Sequence, residues 1–143
     1  ATSSTTVHIL GAGPTGSLAA IALASKGCSV VLTDPLTRKE LLSRTRAYAI
    51  THSSRRLLTD LNLWTALHGS LTAFNSLDLR DSACGGRVVF GLDDLPDSNG
   101  RHEAIGWILD HQPLMELLMD VSISTIALSS RWVVHRHPLE LMI

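Results

Sequence analysis

The first apolar run, Val7-His8-Ile9-Leu10, is short and leads straight into a glycine-rich turn, which predicts a β-strand. Ala, Leu and Ile then dominate from Thr15 to Lys26, predicting a helix, and Gly27 stands where a helix stops. A second strand is expected at Ser29–Thr33, β-branched and apolar, ending at Asp34 and closed by Pro35. Strand, helix and strand with short connections predict a right-handed parallel βαβ unit. The near-continuous apolar character of its strands predicts a sheet covered on both faces.

Beyond this unit the pattern changes twice. Residues 37–46 are polar, and a helix is expected from about His52 to Leu61, with Leu57, Leu58 and Leu61 at helical spacing and Thr51 as N-cap. Trp64, Leu67 and Gly69 suggest one further short turn. Period-two alternation then appears in Ser76–Asp81 and Arg87–Phe90 around Ala83-Cys84-Gly85-Gly86, predicting a hairpin, and residues 93–100 read as a loop. A third apolar strand is expected at Ile105–Leu109. Pro113 falls near the first position of a helix through about Asp120 that turns Leu114, Leu117 and Leu118 inward. Val121–Ile126 alternates as a strand would, and Arg131–Val134 reads as another.

These elements give an α/β chain: a Rossmann-like parallel βαβ dinucleotide-binding domain with an inserted β-hairpin excursion, truncated. The expected boundaries are a flexible start over 1–6, the binding unit and following helix over 7–70, partial substrate-domain strands over 71–109, and a returning helix and strand over 110–143.

Composition narrows the partners. Hydrophobic residues make up 45% of the 143, enough for a core, and twelve basic against thirteen acidic residues leave a net charge of −1. Without a basic surplus, nucleic acid is not an expected partner. Cys28 and Cys84 match no metal spacing; Cys28 reads as a small core residue and Cys84 as part of a turn. No stretch reaches the roughly 20 apolar residues of a membrane span and no secretory signal is present, so the expected location is cytoplasmic. His135-x-His137 lacks a third ligand, and no metal is expected.

The chemistry concentrates in Gly11-Ala12-Gly13-Pro14-Thr15-Gly16. In this spacing Gly11 permits the tight turn, Gly13 lets a pyrophosphate approach the backbone, and Gly16 lets helix and strand pack closely. The amides around Pro14, Thr15 and Gly16 open a helix N-terminus toward the phosphates, where its partial positive charge lies. Asp34 follows Gly11 by 23 residues, near the offset of roughly 20 for a ribose-binding carboxylate. Such an acid repels a 2′-phosphate, so the motif points to FAD or NAD.

Two later segments carry a family resemblance. Arg44-Thr45-Arg46-Ala47-Tyr48-Ala49-Ile50, followed by Leu63-Trp64, resembles the Arg-x-x-Ala-Leu segment of FAD-dependent aromatic hydroxylases. The segment Gly106-Trp107-Ile108-Leu109-Asp110-His111-Gln112-Pro113-Leu114, with Leu117-Leu118, is similar to their aromatic-apolar strand and the helix after it. The nearest branch is the ubiquinone-biosynthesis type, the 2-octaprenyl-6-methoxyphenol hydroxylase-like proteins, and the likeness spans about Val7 to Asp120.

The resemblance implies FAD as cofactor, NAD(P)H as transient reductant, and hydroxylation of a small aromatic substrate by molecular oxygen. A polyprenylated phenol would bring transient membrane contact. It places Arg46 against the flavin cofactor and Gln112 near the ribityl chain, where the family usually has Arg. No catalytic residue is implied, because the cofactor carries the chemistry. The Asp-Gly and Gly-Asp-Ala-x-His motifs of the family are not in this sequence, so a natural truncation or a fragment is expected. Leu77, Leu79, Val89 and Phe90 are candidates either for a substrate floor or for the packed face of a sheet.

Overall fold

The structure, a computed structural model, describes residues 6–96 and 102–127, the last five by their backbone alone. The expected flexible start, the end of the 93–100 loop, the strand at Arg131–Val134 and the pair His135 and His137 lie outside the described residues. In chain order the elements are β1 (Thr6–Leu10), α1 (Pro14–Ser25), β2 (Ser29–Thr33), α2 (Arg38–Leu42), β3 (Ala47–Ile50), α3 (His52–Asp60) and α4 (Trp64–Leu67). They continue with β4 (Leu71–Phe74), β5 (Ser76–Arg80), β6 (Arg87–Gly91), β7 (Gly106–Asp110) and α5 (His111–Ala127). The chain divides into two compact units, one of residues up to Thr45 with those from His111 onward, the other Arg46–Asp110.

In the first unit β1 and β2 pair in parallel, Val7 opposite Val30 and Ile9 opposite Leu32. Ala20 and Val30 are buried at the centre of a cluster that Ile9, Leu23, Ala24, Cys28 and Leu32 complete, so Cys28 is a core residue as expected. Helix α1 ends where Gly27, at φ +81°, turns the chain and donates to the Ala24 carbonyl. The opposite sheet face is open among the described residues: His8 is exposed and Leu10 is 86% exposed. The described residues therefore do not show the sheet covered on both faces that was expected: α1 packs on one face of β1 and β2, and α5 packs on α1.

Helix α5 also overturns the strand expected at Val121–Ile126, which is helical. Met115, Leu118, Met119 and Ser122 recur at helical spacing and are all buried. Extending an existing helix adds one hydrogen bond per residue fixed, and this outweighs the small penalty on β-branched residues. Pro113 is the third residue of α5 rather than the first. Within the polar stretch, Thr37 and Glu40 form a capping box that starts α2, a Thr-x-x-Glu signature visible in the sequence.

In the second unit β7 lies between β3 and β4 and is antiparallel to both. Strands β3 and β4 are additions to the sequence reading. Ile50, Leu58, Leu63, Trp64, Leu67, Trp107 and Leu109 are buried here, and the Arg55 guanidinium sits 4.8 Å from the Trp107 ring centroid and 5.3 Å from that of Trp64. Strands β5 and β6 form the expected hairpin, turned at Gly85 with φ +71°. Its pairing puts Leu77, Leu79, Val88 and Phe90 on one face, 38–52% exposed. Val89 lies on the other face with Asp78, Arg80 and Arg87, so it does not join the apolar group named from the sequence. Among the described residues no helix is long and apolar enough to cross a membrane.

Candidate cofactor site

The glycine turn extends the β1–β2 ladder by one bond, from Gly11 N–H to the Thr33 carbonyl at 2.7 Å. Gly11 has φ +103°, a conformation that a side chain strains. Gly16 is required for a different reason: a Cβ there would sit 1.8 Å from the Gly11 carbonyl oxygen and 3.4 Å from Ile9 Cγ2. Gly13 is different again, with φ −69° and nothing within 4 Å of a Cβ position. The three glycines thus divide into one that turns, one that packs and one that faces open space.

The N-terminus of α1 is left open by the protein. Gly13 caps it without a side-chain hydrogen bond, Pro14 occupies the first turn and no acidic residue follows there. Helices α2 and α3, by contrast, are capped by the hydroxyls of Thr37 and Thr51. The backbone N–H groups of Gly13, Thr15 and Gly16 find no acceptor among the described residues. Unmet first-turn amides on a twelve-residue helix, beside a residue with no side chain, are what a dinucleotide's pyrophosphate requires. The residues present fit that group.

Asp34 lies at the same end of the sheet. Its Oδ2 accepts from Ala12 N–H at 2.7 Å and its Oδ1 from Leu36 N–H at 2.8 Å. Each oxygen keeps a lone pair for a further donor. Sequence reasoning missed Ser17, 1% exposed, whose Oγ donates to the Ala12 carbonyl at 3.0 Å. Its only signal was a small polar residue inside an otherwise apolar helix. His111 was missed as well; it is 1% exposed and donates from Nε2 to the Leu41 carbonyl at 2.6 Å, holding α5 to α2.

Gln112 is exposed on the first turn of α5, donates from Nε2 to Glu116 Oε1 at 3.0 Å, and lines an open groove of about 500 Å³ with Arg38, Lys39, Leu42 and Ser43. Arg46 is exposed at the start of the second unit and has no carboxylate partner among the described residues.

Residues 4–76, about half of the chain, match the family described as "FAD binding domain". The chain belongs to that family. Its cofactor is FAD. The resemblance to FAD-dependent aromatic hydroxylases therefore holds at the level of their cofactor domain. The uncharacterized protein slr1300 of Synechocystis sp. is 26% identical over 112 residues, which cover 78% of this chain and 26% of that protein. The chain spans about a quarter of the length of this curated relative.

Solved structures agree in fold. A tetrameric 2-methyl-3-hydroxypyridine-5-carboxylic acid oxygenase matches 92% of this FAD-domain chain and 32% of its own, with TM-score 0.65 and 16% identity. The P. aeruginosa protein PqsL in complex with 2-aminobenzoylacetate gives TM-score 0.63 at 17% identity, over 85% of this chain and 32% of its own. The flavin-dependent monooxygenase PieE, in complex with FAD and substrate, gives 0.58 at 19% identity, over 85% and 22%.

Proposed function

We propose that this chain is the FAD-binding part of a flavin-dependent monooxygenase that hydroxylates an aromatic ring. The observation that carries the proposal is the open N-terminus of α1, with Gly13 facing free space and three amides unmet. In this reading Gly11, Gly13, Pro14, Thr15 and Gly16 cradle the pyrophosphate, and the free lone pairs of Asp34 accept from ribose hydroxyls. Arg46 and Gln112 are assigned to the flavin side of the cofactor by the family resemblance. When bound, FAD supplies the redox chemistry, with NAD(P)H as reductant and molecular oxygen as co-substrate; the chain binds and orients it. Residues 71–109 begin the substrate-binding part. The finer assignment, a polyprenylated phenol of quinone biosynthesis, rests on likeness to the ubiquinone-type branch. The exposed apolar face of Leu77, Leu79, Val88 and Phe90 suits such a substrate.

An NAD-dependent dehydrogenase would continue strand–helix alternation after β2, whereas β3 here pairs antiparallel with β7. The test is the visible spectrum of the purified chain after reconstitution with FAD and removal of free cofactor. Retained flavin absorption is expected. A colourless protein that binds NAD instead would overturn the assignment.

A further inference from the structure

We propose that Ser17 is a positioning residue for the cofactor pyrophosphate, acting with Asp34 as a two-sided clamp on Ala12; this rests on the cofactor reading above. Ala12 is the middle residue of Gly11-Ala12-Gly13, and both of its backbone polar groups are held by side chains. Asp34 Oδ2 takes its N–H at 2.7 Å, and Ser17 Oγ donates to its carbonyl at 3.0 Å. In a planar trans peptide the carbonyl and the following N–H point in opposite directions. Drawing the Ala12 carbonyl in toward buried Ser17 therefore turns the Gly13 N–H outward, and that N–H has no acceptor among the described residues.

Ser17 gains nothing for α1 that its own backbone lacks, since its N–H already closes the first helical bond to the Gly13 carbonyl at 2.9 Å. The hydroxyl adds an orientation of the preceding peptide. A turn set before the ligand arrives spares the ordering cost on binding, so the clamp acts on affinity for the phosphates. Asp34, holding the other side of Ala12, links the ribose end of the ligand to the phosphate turn.

The test is Ser17→Ala in the full chain, with FAD, ADP and adenosine as probes. Affinity for FAD and ADP is expected to fall about tenfold, the upper size of one neutral hydrogen bond, while that for adenosine stays within about twofold. On adding ADP, the Gly13 amide resonance should shift less in the variant than in the parent. Equal losses for ADP and adenosine, or none for either, would overturn the clamp. Should Ser17→Ala fail to fold, Ser17→Cys, which keeps the side-chain shape with a larger atom and a weaker donor, carries the same comparison. A parent chain that binds neither FAD nor ADP removes the cofactor reading itself. A parent that binds both, with a variant that binds them equally well, removes only the role of Ser17.

Discussion

Asp34 and Ala12, 22 residues apart, are joined by a 2.7 Å hydrogen bond from the backbone of the glycine turn to the carboxylate that ends the second strand. The acid read from the sequence as a ribose ligand is therefore also a structural part of the phosphate turn. Its other oxygen takes Leu36 N–H at 2.8 Å, so both arms must be acceptors. Only a carboxylate meets that condition, because an amide side chain would set its NH₂ against one of the two N–H groups.

Replacing Asp34 by Ala is accordingly expected to cost about 1.5–3 kcal/mol of FAD affinity, the range for hydrogen bonds to a charged group. Asp34→Asn should be nearly as damaging as Ala. Fluorescence titration with FAD checks both, and an Asn variant that binds like the parent would show that the two-acceptor requirement does not hold.

The glycines are expected to separate folding from binding. Gly16→Ala places a Cβ 1.8 Å from a backbone oxygen that no rotamer change can relieve, so a loss of about 3 kcal/mol or more is expected. A Cβ at Gly13 meets no neighbour and its φ is ordinary, so Gly13→Val should cost only the roughly 1 kcal/mol of a poorer N-cap while FAD binding is lost. Thermal melts and FAD titrations of the two variants side by side decide the matter; a stable Gly16→Ala protein would contradict the packing role.

Gly106 is the comparable position in the second unit. A Cβ there would lie 2.8 Å from the Ile50 carbonyl oxygen and 2.8 Å from Phe74 Cζ, between β3 and β4. Phe74 can rotate but the Ile50 backbone cannot, so Gly106→Ala should destabilise the three-stranded sheet by about 1–3 kcal/mol. Urea denaturation checks it through the midpoint, and an unchanged midpoint would rule out the close approach.

The hairpin should be sensitive to acid. Hydrogen bonds from Arg80 first, and then from Arg87 at 2.9 Å, hold the Asp78 carboxyl below its ordinary value of 3.8. A group whose folded value is depressed adds stability above its unfolded value and loses it as pH falls through the folded one. Hairpin amide protection is therefore expected to be constant at neutral pH and to decline only below about pH 4, by less in high salt. Hydrogen exchange at Val88 and Phe90, whose amides face β5 in this register, follows this, and protection that rises on acidification would reverse the sign.

Several elements were legible from local pattern alone. The first strand, its helix and the second strand needed only apolar runs, Gly27 and Pro35, and α3 needed only its leucine spacing and Thr51. Strands β3 and β4 were not legible, because four-residue segments acquire strand identity only by pairing with β7, remote in sequence. Val121–Ile126 misled for a related reason: Val, Ser, Ile and Thr fit either period, and the backbone there continues helix α5, which adds one hydrogen bond per residue fixed.

The same division runs through the candidate site. Sequence determined which residue types stand at Gly11, Gly13, Gly16 and Asp34, the spacing that reads as a dinucleotide turn. The tertiary structure decided what each one does. Gly16 is forced by the Gly11 carbonyl, Gly13 is forced by no neighbour in the protein, and Asp34 is drawn into the turn by Ala12. Ser17 meets the Ala12 carbonyl, five residues back, only once the glycine turn and the first turn of α1 have formed, because a hydroxyl's partner is set by the carbonyl that folding brings to it.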